Sequence, residues 1–293
     1  MRIQMDALTK ESAEALIRIA LEEDLGERGD LTSSSTVDAT LSATVNIVAR
    51  ESGVMCGGPL IALVFRSLGS DVRIDLRIHD GDSLHKGSVI ATISGLVRSL
   101  LSAERTILNF MIHLSGIASR TAAFVDRVKG TKAAILDTRK TLPGYRLLHK
   151  YAVRCGGGTN HRMGLYDGIL IKDNHLAARG DQAVASAVAD ARRYMKSHGV
   201  QLPIEIEVDT LDQLRDALRE TPDIVLLDNM EPARLVQAVE IRDDVAAGTR
   251  LEASGGVTLQ TVRAIAESGV DRISIGGLTH SSPALDLGFD WPW

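Results

Sequence analysis

The stretch "AAILDTRKTLPG", Ala133 to Gly144, runs from four apolar residues straight into Asp137, Thr138, Arg139 and Lys140. A buried strand followed at once by two adjacent cations is an arrangement with a cost. Charges at the edge of a core lose hydration unless something of opposite sign meets them. The stretch therefore raises two questions: what sheet the strand belongs to, and what anion its mouth holds.

Five further apolar runs answer the first: "GILIKDN", "IEIEVDT", "IVLLDN", "LEASGG" and "RISIGG". Segments with helical spacing lie between most of them, among them "DQAVASAVADARRYMKSHG", "LDQLRDALRE" and "LQTVRAIAESG". Near-continuous apolar strands alternating with amphipathic helices predict a parallel sheet covered on its outer face. Each run also ends in polar residues or glycines. A barrel gathers such strand ends on one rim, its C-terminal face, where active sites lie. A doubly wound sheet would bring fewer of them together, at a switch point. The expected fold is α/β, a parallel barrel with fewer than eight strands.

The N-terminal part reads differently. "TKESAEALIRIALEEDL" (Thr9 to Leu25) sets Leu16, Ile17, Ala20 and Leu21 on one helical face. "VRIDLRIH" (Val72 to His79) alternates apolar and charged residues, a strand with one wet face. "DGDSLHKGSVIATISG" predicts further short strands, and Arg98 to Lys129 a helix interrupted at Gly116. The expected organisation is an N-terminal α+β domain over residues 1–115 and a barrel over 116–277. A tail, 278–293, is expected to pack back on the first domain.

Composition limits the function classes. The 293 residues are 44% hydrophobic and 24% charged, with net charge −5 and pI ≈ 5.9. No global positive field draws the chain to nucleic acid or anionic membrane, so any anion site is a local cluster of cations. The first residues lack the apolar run of a signal peptide, and no later stretch is long and apolar enough for a bilayer, which predicts a cytoplasmic protein. Cys56 and Cys155 make neither a disulfide framework nor a zinc-ligand set.

On the predicted rim the residues sort by charge. Arg139, Lys140, Arg162 and Lys172 are cations, with His161 beside Arg162; Glu207 and Asp228 are anions. Ser254-Gly255-Gly256 and Ile275-Gly276-Gly277 offer unobstructed backbone N–H groups after the last strands, where such folds cradle phosphate. A lone cation at a strand end is usually a surface ion pair, but four converging on one rim point to a strongly anionic ligand. The two acids suit a metal ion or sugar hydroxyls; neutralising the cations is their blander role. "CGGGTNHR" (Cys155 to Arg162) lacks the Gly-Lys-Ser/Thr of a Walker loop. Its glycines let backbone pass close to a ligand or neighbour, and Cys155 reads as a small buried thiol.

"LDTRKTLPGYRLLHKYAVRCGGGTNHRMGLYDGILIKDNH" (Leu136 to His175) resembles the signature of the decarboxylating quinolinate phosphoribosyltransferases. "EEDLGERGDLTS", "SAERTILNFMIHLSGIAS", "IEIEVDTLDQL", "IVLLDNM", "LEASGGVTL" and "ISIGGLTHS" extend the likeness over nearly the whole chain. Leu142, Tyr145 and Gly277 depart from the usual residues, none at a charged rim position. The resemblance implies an incomplete parallel barrel of the type II phosphoribosyltransferase kind. It also implies a reaction of quinolinate with phosphoribosyl pyrophosphate, giving nicotinate mononucleotide, pyrophosphate and carbon dioxide with Mg²⁺. By that resemblance Arg139, Arg162 and Lys172, with His161, hold the two carboxylates of quinolinate. Thr138 and Lys140 belong to the substrate-binding set, Lys140 on phosphoribosyl pyrophosphate. Glu207 and Asp228 would meet its ribose hydroxyls and the metal. Ser254, Gly255, Gly256, Ile275, Gly276 and Gly277 would cradle the 5′-phosphate, with His280 nearby. Lys140, Lys172, Glu207 and Asp228 are the residues it places closest to the chemistry. Arg105 would reach quinolinate from the neighbouring subunit, making a homodimer with shared sites. The rival readings are a molybdenum-linked relative and a non-catalytic anion-binding or regulatory protein on the same fold.

Overall fold

The computed structural model describes residues 3–180 and 183–291. The chain forms two compact units. The first takes the residues up to Ala122, then Lys140–Gly158 and the chain from Gly277 onward; the second takes Ala123–Arg139 and Thr159–Gly276. The segments 116–122 and 140–158, assigned to the barrel from sequence, thus sit with the first unit.

In the first unit a helix spans Ala7–Leu25. Asp6 caps it by accepting from Thr9 N at 2.8 Å, which satisfies one of the free N–H groups of the first turn. Thr9, Ala13, Ile17 and Leu21 are its buried residues, a stripe at every fourth position as helix geometry requires. A four-stranded antiparallel sheet follows the order Leu287–Asp290, Ser42–Ala49, Val89–Leu96, Arg73–Leu76. The C-terminal strand pairs with the first one from Asn46↔Asp290 to Ala49↔Leu287. The strand expected over Val72 to His79 is shorter, ending at Leu76.

The helix expected from Arg98 begins at Val97 and runs unbroken to Arg127. The interruption expected at Gly116 does not occur. That glycine answers a packing need instead: a Cβ there would lie 2.0 Å from Pro283 O. A single missing side chain lets the C-terminal segment lie against the helix.

The second unit is a six-stranded sheet, parallel throughout. In chain order its strands are Ala134–Leu136, Ile169–Ile171, Ile204–Val208, Ile224–Asp228, Arg250–Ser254 and Arg272–Ser274. Each pairs with its neighbour in sequence, and the last pairs with the first; only the first and second do not pair. This order is cyclic, as in a barrel, with one joint left open. A doubly wound sheet would instead reverse direction at a switch point. At the open joint Thr159 makes a lone parallel bridge to Leu136.

Helices follow the strands at Asp173–Arg179, Val184–His198, Leu211–Leu218, Pro232–Val245 and Val262–Glu267. Asp181 and Gln182, read as the start of the second of these, lie outside the described residues. Ile135, Ile204, Ile206, Val225, Leu227, Leu251 and Ile273 are buried. Each such side chain contributes roughly 1.5–3 kcal/mol by leaving water. Among the described residues no helix is long and apolar enough to cross a membrane.

Candidate active site

The first barrel strand delivers Asp137, Thr138 and Arg139 to the rim. Asp137 is 0% exposed. Its Oδ1 accepts from His161 N at 2.9 Å and its Oδ2 from Asn160 Nδ2 at 2.6 Å. Thr159 N donates to Ile135 O at 2.8 Å, and Asp137 N to Thr159 O at 3.3 Å. The Thr159–Arg162 segment is thereby stitched along the open side of the first strand, where a ladder partner is missing.

That stitching brings Arg162 towards Arg139. Burial, and next the charge of Arg139, lower the Arg162 pKa. Arg162 Nη1 donates to Gly168 O at 3.0 Å, and Arg139 Nε is buried without a partner among the described residues. The charges of Glu205 and Asp167 offset part of that repulsion, and the forked donors of two neighbouring half-buried guanidiniums match planar carboxylates.

Lys172 follows the second strand and Glu207 lies on the third; their side chains form an ion pair. Asp228, half-buried at the end of the fourth strand, accepts from Asn229 Nδ2 at 2.7 Å. Asn229 has φ 52° and donates its N–H to Ser254 O at 2.9 Å. A Cβ on Gly255 would fall 2.2 Å from Asn229 Oδ1, so this glycine is required by its neighbour. Gly256, with φ +58°, faces open space instead. Ile275 N donates to Leu136 O at 2.9 Å and ties the last strand end to the first. Thr138 and Gly276 are half-buried beside it.

Four of the expected residues, Arg105, Lys140, Gly277 and His280, belong to the first unit. Arg105, Lys140 and His280 are exposed there. The Lys140 carbonyl accepts from Thr279 Oγ1 at 2.7 Å. Arg105 lines a cavity of ≈ 360 Å³ with Phe110, His113 and Tyr145.

His161 has a different setting from the cations around it. Its side chain is 8% exposed, and Nε2 lies 3.1 Å from Glu205 Oε2 and 3.3 Å from Glu252 Oε1. Burial opposes its charge, but the hydrogen bonds and charges of those carboxylates prevail and raise its pKa to about 9. Arg162 N also approaches His161 Nδ1 at 2.7 Å, a contact that an unprotonated Nδ1 accepts. Protonation of Nδ1 would forfeit that contact, yet two buried carboxylates balanced by the single guanidinium of Arg272 favour a second positive charge on the ring. Glu252 is buried, which alone would raise its pKa, yet His161 and Arg272 hold it low. Arg272 Nε lies 2.8 Å from Glu252 Oε2.

Asp137, Asn160, Glu205, Glu252 and Arg272 escaped the sequence reading. A signal for three of them was present. Glu205, Glu252 and Arg272 each stand two residues before Glu207, Ser254 and Ser274, and period two puts both members of such a pair on one strand face.

An open parallel barrel whose rim presents two neighbouring guanidiniums and nearby acids defines an α/β-barrel enzyme for anionic substrates. Two family models narrow this further: the N-terminal domain of quinolinate phosphoribosyl transferase matches residues 30–115, and its C-terminal domain matches 117–290. A Mycobacterium leprae (strain TN) protein named nicotinate-nucleotide pyrophosphorylase (carboxylating) is 47% identical over 282 residues, 96% of this chain and 97% of that one. The solved nicotinate-nucleotide pyrophosphorylase of Francisella tularensis superposes with TM-score 0.89 at 37% identity, covering 99% of this chain and 100% of that one. Its counterpart from Ehrlichia chaffeensis gives TM-score 0.88 at 42% identity, covering 94% and 97%. The chain belongs to the quinolinate phosphoribosyltransferase family.

Proposed function

We infer that the rim of the second unit binds quinolinate, and that the chain carries out its family's reaction there. Phosphoribosyl is transferred from phosphoribosyl pyrophosphate to the pyridine nitrogen, carbon dioxide is lost, and nicotinate mononucleotide forms on the path to NAD. The observation that carries the residue assignment is the Arg139–Arg162 pair: two adjacent guanidiniums, one with a buried unpartnered Nε. Glu205 and Asp167 offset part of the Arg162 charge, and a planar dicarboxylate would give the open donors of Arg139 their partner. Lys172, already paired with Glu207, can exchange that partner for a substrate carboxylate.

The chemistry follows from where charge develops. The ribose carbon becomes oxocarbenium-like as pyrophosphate leaves, and Glu207 and Asp228 are the carboxylates placed to stabilise it. They sit on neighbouring parallel strands. As hard oxygen donors they also fit Mg²⁺, which when bound would offset the charge of the departing pyrophosphate. Once ribosylated, the pyridine nitrogen is itself the electron sink for the carbanion left by carbon dioxide, so no organic cofactor is needed. Gly256, facing open space, and the neighbouring N–H groups of Ser254 and Gly255 are the natural seat for the 5′-phosphate. For Lys140, Gly277 and His280 the assignment rests on the family resemblance.

One assay tests the reading: purified protein with quinolinate, phosphoribosyl pyrophosphate and Mg²⁺, followed by appearance of nicotinate mononucleotide. Turnover is expected with quinolinate and at most a trace with nicotinate, whose single carboxylate leaves a guanidinium unpaired. Comparable rates with nicotinate would reject the dicarboxylate clamp.

The resemblance further supports a homodimer in which Arg105 completes the partner's site. Arg105→Ala and Arg139→Ala homodimers would then both be inactive. Subunit exchange between equal amounts should restore about a quarter of wild-type sites, because two-fold symmetry leaves one site of each mixed dimer intact. Exchange without recovery would exclude sharing.

A further inference from the structure

Beneath the rim lies a group of charges that the proposed reaction does not itself require. Glu205, Glu252, His161 and Arg272 meet inside the second unit, with Nε2 of His161 between the two carboxylates and Arg272 on the far oxygen of Glu252. Glu205 is 4% exposed and Glu252 0%. Barrel interiors are normally filled by layers of branched apolar side chains, and burying ion pairs in their place is often less stable than an apolar filling. Stability therefore does not explain the quartet. With His161 charged, it is neutral: two cations and two anions.

Its position suggests what it does. Glu205 shares a strand face with Glu207, and Glu252 with Ser254, so the quartet is one pleat below residues of the candidate site. Through His161 it meets the turn that presents Arg162. That turn is not held by packing alone, because a cavity of ≈ 380 Å³ borders it, lined by Asn160, Arg162, Pro203, Glu205, Ile224 and Arg272 among others. Polar contacts hold it instead: Asp137 on the backbone of His161, Asp167 on the backbone of Met163 and Gly164, and Glu205 and Glu252 on the His161 ring.

We propose that Glu205, Glu252 and Arg272 are positioning residues for the substrate's carboxylates, holding the His161 ring under the rim and, through it, the turn that presents Arg162. This rests on the reading of the rim as a quinolinate site. The charge on His161 adds to the field that draws a dianion, and its ion pairs limit how far Arg162 can drift. Among the described residues the charged groups facing His161 or its turn include Glu205, Glu252, Arg272, Arg162, Arg139, Asp137 and Asp167. Of these, removing Glu252 or Arg272 alters the quartet without touching the rim.

Two variants test it: Glu252→Gln, and the double variant Glu252→Leu with Arg272→Leu, which removes one charge of each sign. In both, KM for quinolinate should rise about 10-fold at pH 8.5 and less at pH 6.5, because a histidine with one carboxylate partner recovers its proton only at lower pH. KM for phosphoribosyl pyrophosphate should stay within about twofold, and the double variant should melt no lower than the single one. Ring ¹⁵N shifts of His161, assigned by their loss in His161→Asn, should show imidazolium at pH 8 in the wild type and neutral imidazole in Glu252→Gln. Equal losses for both substrates, or a quinolinate KM unchanged at both pH values, would overturn the proposal, as would a neutral His161 in the wild type. The ¹⁵N measurement needs no turnover. Absence of wild-type turnover with an imidazolium His161 would therefore count against the quinolinate reading and leave the charged quartet standing.

Discussion

Two buried histidines, one in each unit, face opposite outcomes. In the first unit His149 lies 2.7 Å from His113, Nε2 to Nε2, and packs against Tyr145. Burial first, and then the charge of His113, depress its pKa to about 3. In the second unit His161 is buried as well, yet two carboxylates raise its pKa to about 9. Burial opposes charge at both sites; the partner decides which form is kept. The same contrast runs through other buried polar groups. Asp80, buried in the first unit, accepts from Gly57 N, Gly58 N and Tyr151 Oη, and burial raises its pKa despite those bonds. The first unit uses buried polarity to hold turns and helices, whereas the second concentrates charge beneath the rim proposed to bind substrate.

This contrast can be broken at several points. The largest effect is expected on the rim. Arg139→Ala or Lys172→Ala should lose roughly 2–5 kcal/mol of transition-state binding, the cost of leaving a charged partner unmet. That is about 30-fold to several thousandfold in kcat/KM, while thermal melting stays near wild type. Near-normal quinolinate turnover in both variants would remove the clamp.

The mirror experiment lies in the first unit. Asp80→Ala leaves two backbone N–H groups and the Tyr151 hydroxyl unpaired in a buried site, and should cost about 3 kcal/mol of folding stability. Urea unfolding measures the loss, and kcat per folded molecule should change little. A large fall in kcat with stability intact would erase the distinction between the units.

The smallest effect sharpens the contrast through pH. His149 has a depressed pKa, so its contribution to stability is full above the unfolded value near 6.5 and is lost as pH falls towards 3. His161 has the opposite sign: its contribution is full below about 6.5 and is lost as pH rises through 9. Each can change stability by about 1 kcal/mol per pH unit within its own window. Urea midpoints at pH 7.5 and 5.5 should differ less in His149→Gln than in wild type. Midpoints at pH 7.5 and 9.5 should differ less in His161→Asn. An unchanged acid dependence in His149→Gln would mean that other groups carry it.

Much of the barrel was legible before any coordinates. Six mainly apolar runs, each ending in polar residues, match the six parallel strands, because a strand buried on both faces is mostly apolar along its length. Glu205 and Glu252 are the buried exceptions in two of them. The charges at the strand ends, Arg139, Lys172, Glu207 and Asp228, were legible too, since each is read directly from where a run stops. Lys140, by contrast, falls in the first unit, and Arg162 lies on the segment after Thr159. Local periodicity likewise marked the first helix: of the expected face, Ile17 and Leu21 are buried and Leu16 and Ala20 half-buried, and the buried stripe continues through Thr9 and Ala13.

What the chain's sequence determined by itself is therefore the set of elements and the chemical character of their ends, both properties of short stretches. Tertiary structure alone decided how distant residues meet. It left the barrel open between its first and second strands and laid Thr159–Arg162 along that joint. It turned Gly116 from an expected helix break into a close-packing position against Pro283. It also set the His161 ring between the carboxylates of Glu205 and Glu252, residues far from it in sequence. The physical reason is the same in each case. Hydrophobic periodicity acts between near neighbours along the chain, whereas the ionisation and orientation of a buried polar group depend on whichever groups folding places within a few ångströms of it.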